Sequence, residues 1–159
     1  MYRIGHGYDS HIFTEGKYIT LAGVTIPFEK GLQSHSDGDV VVHSLCDAFL
    51  GAASLGDMGQ HFPDSDQKYA GAQSKVFLNI VKGLVQEEGF IICNTDTTIV
   101  LEKPKLQKYI LNMRENLASE LKLSASVISI KAKTNEGMGF IGAGEGIAAF
   151  SVVMLKTDK

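Results

Sequence analysis

Two stretches near the start of this chain carry residues that can hold a metal ion. Asp9-Ser10-His11 sets a carboxylate and an imidazole at i and i+2. On a strand these point to one face and can share one ion. The pair also reads as surface polarity following a strand. The second stretch, His35 to His43, holds two His and two Asp within nine residues. On a helix, Asp39, His43 and Asp47 fall on one face. His43 then has a carboxylate one turn away on each side, the kind of partner that orients a metal-binding imidazole. A plainer reading has Asp39 capping the helix and His43 in a polar seam. Asp9, His11 and His43 together make a two-His, one-carboxylate set. Such a set suits tetrahedral zinc with one position left open, and an open position signals catalysis rather than a structural role.

Two further stretches are rich in Gly and polar groups. Gly56-Asp57-Met58-Gly59, followed by Phe62-Pro63-Asp64-Ser65-Asp66, puts carboxylates on tight loops, where they can accept from ligand hydroxyls or simply build turns. Lys131 to Glu136 leads into the Gly-rich run 137–146. Lys and Thr there can hold phosphate oxygens, and Glu can hold Mg²⁺. The spacing is not that of a P-loop. It is not a dinucleotide fingerprint either, because no helix is expected after the glycines. There is no GxSxG elbow and no HExxH pair, and neither Cys46 nor Cys93 has a neighbouring His, so covalent catalysis has no support. The features point to a metal-assisted enzyme acting on a phosphorylated substrate.

Ordinary elements must position these groups. Strands are expected over 2–8, 90–101, 127–133 and 147–155, with a hairpin joining 18–21 to 24–26. Helices are expected over 39–55, capped by Ser36 or Asp37, over 74–88 with Gly89 as the stop, and over 105–121 after Pro104. An α/β fold with one mixed sheet covered by helices is expected from that order. The length of 159 residues fits a single domain, 1–159. A net charge of −3 argues against nucleic acid as a partner. No apolar run approaches a membrane span and no secretory leader is visible, so a cytoplasmic location is expected. Cys46 and Cys93 read as buried small residues.

The motifs RIGHGYDSH, GVTIPFEKGLQSHSDGDVVVH, DAFLGAASLGDMGQHFPDSD, NTDTTIV, EKPKL and KAKTNEGMGF…GEGIAA, in this order, resemble the 2-C-methyl-D-erythritol 2,4-cyclodiphosphate synthase family over nearly the whole chain. The resemblance implies an α/β homotrimer with active sites at the subunit interfaces. It implies cyclisation of 4-diphosphocytidyl-2-C-methyl-D-erythritol 2-phosphate with release of CMP, a step of non-mevalonate isoprenoid synthesis. Carried over by motif, Asp9, His11 and His43 bind zinc, and Glu136 helps hold Mg²⁺ or Mn²⁺ on the diphosphate. His35 and Thr134 take the transition-state role, and Ser36 lies beside them near the reacting phosphates. Asp57, Met58 and Gly59 meet the methylerythritol, with Phe62, Asp64 and Asp66 lining the same region. Leu101, Lys105 and Leu106 belong to the segment closing over cytosine, mainly through backbone groups. Lys133, Thr134, Asn135 and Glu136 embrace the diphosphate, and Phe140 joins the substrate-binding set. Both nucleophile and electrophile belong to the substrate, so no protein nucleophile is needed.

A zinc-dependent nucleotide hydrolase and a non-catalytic trimer binding metal or isoprenoid phosphate are the competing readings. A hydrolase would place solvent oxygen in a product, and a binding relic has less need of Asp57 and Glu136. The chain also departs from the family pattern: Ala143 stands where many members carry an Arg linked to anion binding in a cavity along the trimer axis. An Arg there would act three times over, through strong charge-assisted contacts. Farnesyl diphosphate is therefore expected to bind weakly to the native protein. Ala143→Arg should tighten that binding and make it salt-sensitive. Calorimetry checks this, and equal affinities for the two proteins would contradict it.

Overall fold

Alternation of exposed and buried side chains continues well past Tyr8. Strand β1 runs over Tyr2–Glu15 because two partners extend its pairing: β7 (Gly146–Thr157) as far as Ile12, and β4 (Lys30–Leu32) from Phe13 to Glu15. The structure, a computed structural model, describes residues 1–63 and 65–158. Between β1 and β4 lies the expected hairpin, β2 (Tyr18–Leu21) and β3 (Val24–Pro27). Ala22 and Gly23 at its tip have φ of 50° and 73°, as a tight two-residue turn with the strands' own twist requires.

Helices α1 (Val40–Ala53), α2 (Met58–His61) and α3 (Ser74–Glu87) follow, then β5 (Phe90–Val100), α4 (Ile110–Leu121), β6 (Ile128–Lys133) and α5 (Gly139–Gly142). The main sheet has five strands in the order β4-β1-β7-β5-β6. Among the described residues only β5 and β6 pair in parallel, joined by the α4 crossover that parallel neighbours need. The sheet is thus mixed, as expected. Among the described residues the helices pack on one face. The expected mixed sheet with helices packed on it is therefore what forms, and on the other face Ile4, Tyr8, Phe150 and Val152 are exposed. Among the described residues no helix is long and apolar enough to cross a membrane.

The register of α1 on the sheet rests on two glycines. A Cβ at Gly5 would lie 1.8 Å from the Ala48 carbonyl oxygen, and one at Gly7 would lie 1.9 Å from that of Ser44. Ser44, Ala48 and Ala52 line the facing stripe of α1 at helical spacing and are buried. Small residues on both sides let backbone meet backbone. A buried hydroxyl chain locks the contact: Thr97 donates to Ser151 (2.8 Å), Ser151 to Ser44 (2.7 Å) and Ser44 to the Val41 carbonyl (3.0 Å).

Three local expectations need correction. Asp39, not Ser36 or Asp37, caps α1, because its carboxylate reaches the N–H groups of Val41 and Val42. A one-turn helix, α5, forms inside the Gly-rich run where none was expected. There the Ala143 N–H donates to the Gly139 carbonyl. Cys46 is buried, but Cys93 is only half-buried, since it sits at a register shift between β5 and β7.

The glycine contact predicts opposite outcomes for the same substitution at two sites. Gly7→Ala should cost about 1–3 kcal/mol or more through overpacking. Gly83→Ala, inside α3 with nothing within 4 Å of the new methyl, should stabilise by about 0.5–1 kcal/mol. Urea denaturation of both variants checks this. Similar midpoints would contradict the packing argument.

Candidate metal centre and substrate pocket

On β1, Asp9 and His11 share the face that carries Gly5 and Gly7, the face under α1. The close approach of α1 brings His43 over them. One ligand atom from each of Asp9, His11 and His43 lies within 4.8 Å of the others. Asp9 Oδ2 stands 3.1 Å from His11 Nε2 and 3.1 Å from His43 Nδ1. His11 Nε2 is buried yet makes no hydrogen bond. A buried ring nitrogen without a hydrogen-bond partner, beside a carboxylate and a second imidazole, fits a divalent ion of borderline softness.

Charge in this group is tightly balanced. Burial pushes the Asp9 carboxyl up, but its close contacts with the His11 and His43 imidazoles outweigh it and leave it below the ordinary aspartate value. Burial pushes His43 down, but the Asp9 hydrogen bond and the charges of Asp9, Asp39 and Asp37 outweigh that and raise it. Without an ion between them, Asp9 and His43 thus each favour the charged form of the other.

The carboxylates expected to flank His43 go elsewhere. Asp39 is fully buried and accepts from the N–H groups of Ala22 (2.9 Å) and Gly23 (2.7 Å), tying the hairpin to α1. Asp47 accepts from the Met58 N–H at 2.7 Å and holds the start of α2. Burial raises both, Asp39 to about 6. His43 Nε2 instead faces two hydroxyls, Ser74 Oγ at 2.9 Å and Ser36 Oγ at 3.2 Å.

The three ligands open into a pocket of about 820 Å³. His35 and Ser36 line it from the loop before α1, Met58 and Gly59 from the start of α2, and Phe62 and Asp66 from beyond α2. Asp57 does not line it. Its carboxylate caps α2, accepting from the Gln60 N–H and side-chain amide, both at 3.0 Å. Asp64 lies outside the described residues. Tyr69 and Phe77, not singled out from sequence, complete an aromatic wall with Phe62, at ring separations of 4.9 to 5.5 Å. Phe77 lies on the apolar stripe of α3, so helical spacing read it as core.

The remaining predicted residues form a second group that does not line this pocket. The Leu101 N–H donates to the Lys133 carbonyl at 3.0 Å, and Glu102 Oε1 accepts from the Asn135 N–H at 2.8 Å. Glu102, missed from sequence, thus ties the two loops together. The Thr134 hydroxyl donates to Glu136 Oε1 at 2.5 Å, and Glu136 has a φ of 52°. Leu101 and Leu106 are buried and anchor their loop by side chain. Lys105, Lys133 and Phe140 are exposed. Pairing puts Ser10, Ala148, Val100 and Lys133 in one row across the sheet. Three strand spacings, about 14 Å, therefore separate the two groups at the same end of the sheet.

A mixed sheet backed by helices, with a two-His, one-carboxylate centre opening into a polar and aromatic pocket, defines an α/β protein with a candidate catalytic metal site. A model of the YgbB family matches residues 2–156, and the chain belongs to that family. It is 54% identical over 157 residues to the 2-C-methyl-D-erythritol 2,4-cyclodiphosphate synthase of Brachyspira hyodysenteriae, with 99% of each chain covered. Among solved structures it resembles the IspF–CDP complex of Plasmodium falciparum, with a TM-score of 0.87, 34% identity, and coverage of 99% of this chain and 97% of that one. It also resembles the bifunctional IspDF of Campylobacter jejuni, with a TM-score of 0.95 and 44% identity. It spans 99% of its own length there but only 42% of that longer chain.

Removing one ligand tests the centre. His43→Ala should carry less than a tenth of the native divalent metal after brief chelation and desalting, as read by elemental analysis. Native metal content in that variant would contradict the ligand assignment.

Proposed function

We propose that this protein cyclises 4-diphosphocytidyl-2-C-methyl-D-erythritol 2-phosphate to 2-C-methyl-D-erythritol 2,4-cyclodiphosphate and CMP. The observation that carries this reading is the Asp9–His11–His43 centre opening into a polar pocket, in a chain belonging to the YgbB family. Zinc on that centre, with Mg²⁺ or Mn²⁺ beside Glu136, would supply Lewis-acid neutralisation of the diphosphate.

The chain's own residues do the positioning. Two anionic groups of one substrate must meet, and holding them in reacting geometry can be worth about 7–11 kcal/mol. His35 and Ser36 would steady the reacting phosphate at the pocket mouth. Met58, Gly59, Phe62 and Asp66 would hold the methylerythritol portion, with Asp57 turning toward its hydroxyls. The segment from Leu101 through Lys105 to Leu106 would cover cytosine, and Lys133, Thr134, Asn135 and Glu136 would embrace the diphosphate. Thr134 would stabilise charge in the transition state.

The two residue groups lie about 14 Å apart in one subunit. A homotrimer that sets one subunit's metal centre against the next subunit's 101–106 and 133–136 loops resolves this separation. The exposed apolar face of Ile4, Tyr8, Phe150 and Val152 supports such an assembly. A soluble nucleotide substrate suits a cytoplasmic setting and needs neither nucleic acid nor membrane.

The test is CMP release from the cytidine substrate. Release should stop with a strong chelator and return with added metal. Glu136→Gln should raise the Mg²⁺ concentration needed several-fold while zinc content stays native. Run in ¹⁸O-water, the reaction should leave the cyclic product unlabelled. Labelled, uncyclised product would make the protein a hydrolase.

A further inference from the structure

We propose that Ser74 and Asp37 are positioning residues for His43: together they hold its ring from behind, so that Nδ1 faces the shared metal position. The inference rests on the metal centre proposed above and extends it to residues outside the ligand set. The ring has two nitrogens with different surroundings. Nδ1 lies 3.1 Å from Asp9 Oδ2, inside the ligand group. Nε2 points the other way and lies 2.9 Å from Ser74 Oγ. With a metal on Nδ1, the ring proton must sit on Nε2, where it donates to the Ser74 oxygen. The Ser74 hydroxyl then donates to Asp37 Oδ1. Asp37 Oδ2 accepts from the Ser74 backbone N–H at 2.8 Å. Asp37 thus grips Ser74 through two oxygens, and Ser74 is almost wholly buried, at 1% exposure.

The proton pattern in this chain has only one consistent direction. A carboxylate accepts only, so the Ser74 hydroxyl gives its proton to Asp37 and keeps its lone pairs for His43. The ring must therefore be the donor, which leaves Nδ1 as the ligand atom. A carboxylate at the far end also makes the imidazole a better donor of electron density to an ion.

Helix capping does not explain Ser74. The N-cap of α3 is Gln73, which makes no side-chain capping bond, and Ser74 is the first helical residue. Its hydroxyl bonds Asp37 and His43 instead. Ser36 Oγ, at 3.2 Å from Nε2, is a second and weaker acceptor.

Zinc affinity of the full chain, measured by chelator competition, tests the proposal without using activity. Ser74→Ala should weaken zinc about 10–100-fold. Asp37→Asn, which empties no space, should weaken it in the same direction by less. Ser44→Ala is the control: Ser44 is on the same helix as His43, is equally buried and also holds hydroxyl bonds, but does not touch the ring. It should lower thermal stability while leaving zinc affinity within about twofold, a change too small to register as lost ligand geometry. Native affinity in both Ser74→Ala and Asp37→Asn overturns the proposal alone. So does an equal loss in Ser44→Ala. A native chain that takes up no zinc overturns the metal centre and the proposal with it.

Discussion

Backbone contact between α1 and β1 is the constraint on which the rest of the molecule depends. Helices ordinarily stand off a sheet by the thickness of two side-chain layers, close to 10 Å. Here Gly5 and Gly7 remove one layer, and Ser44, Ala48 and Ala52 thin the other. The short separation is what brings His43, near the start of α1, within reach of Asp9 and His11, two and four residues past Gly7 on the same strand face. With ordinary side chains at positions 5 and 7, the helix would ride higher. The imidazole would then miss the carboxylate, since a hydrogen bond or metal bond tolerates only a few tenths of an ångström.

The same helix start carries a second constraint. Asp39 buries a carboxylate completely, which is costly, and offsets that cost with four backbone donors from α1 and the hairpin turn. The residual burden shows in its raised pKa, about 6. Around the metal centre the balance depends on pH in a defined way. His43, raised, contributes stability that is complete below the ordinary imidazole value and is lost as pH rises through its raised value. Asp9, lowered, contributes stability present above the ordinary aspartate value and lost as pH falls through its lowered value. The metal-free pair is thus favoured between those limits. An ion that must displace the Nδ1 proton gains the advantage toward higher pH.

The sequence made the metal group legible because its signal is local. Asp9 and His11 declare a strand face by spacing, and His43 declares a helix face. Spacing does not identify the partners of His43, because it reports which face a side chain occupies, not what crosses that face. Asp39 and Asp47 share the stripe, yet backbone donors from the hairpin and α2 claim them. Ser74, 31 residues further on and at the start of α3, reaches the ring instead. Strand order was equally invisible, since hydrophobic alternation is the same for any pairing. Apolar alternation alone ends β1 near Tyr8, because polar Asp, Ser and His interrupt it, and pairing with β4 and β7 carries the strand on to Glu15. The one-turn helix α5 has no periodicity to read at all.

The arrangement of the two residue groups follows from the sheet rather than from either loop. Strands β1 and β6 are separated by β7 and β5, and no side chain of ordinary length spans about 14 Å. On the proposed reading, a single subunit could therefore hold one end of a long substrate at the metal group or the other at the 133–136 loop, but could not close on both. The separation is rigid, because every intervening strand is paired across the row from Ser10 to Lys133. Loop movement alone would have to break the Glu102 brace on Asn135 to shorten it. On the proposed reading, a second copy supplies the missing half with no distortion of the first, and the open apolar sheet face is the surface that symmetry would bury. Catalysis and assembly would then share one requirement. A substitution on that face, far from any ligand, would lower turnover by pulling apart the two halves of the site while leaving each half intact.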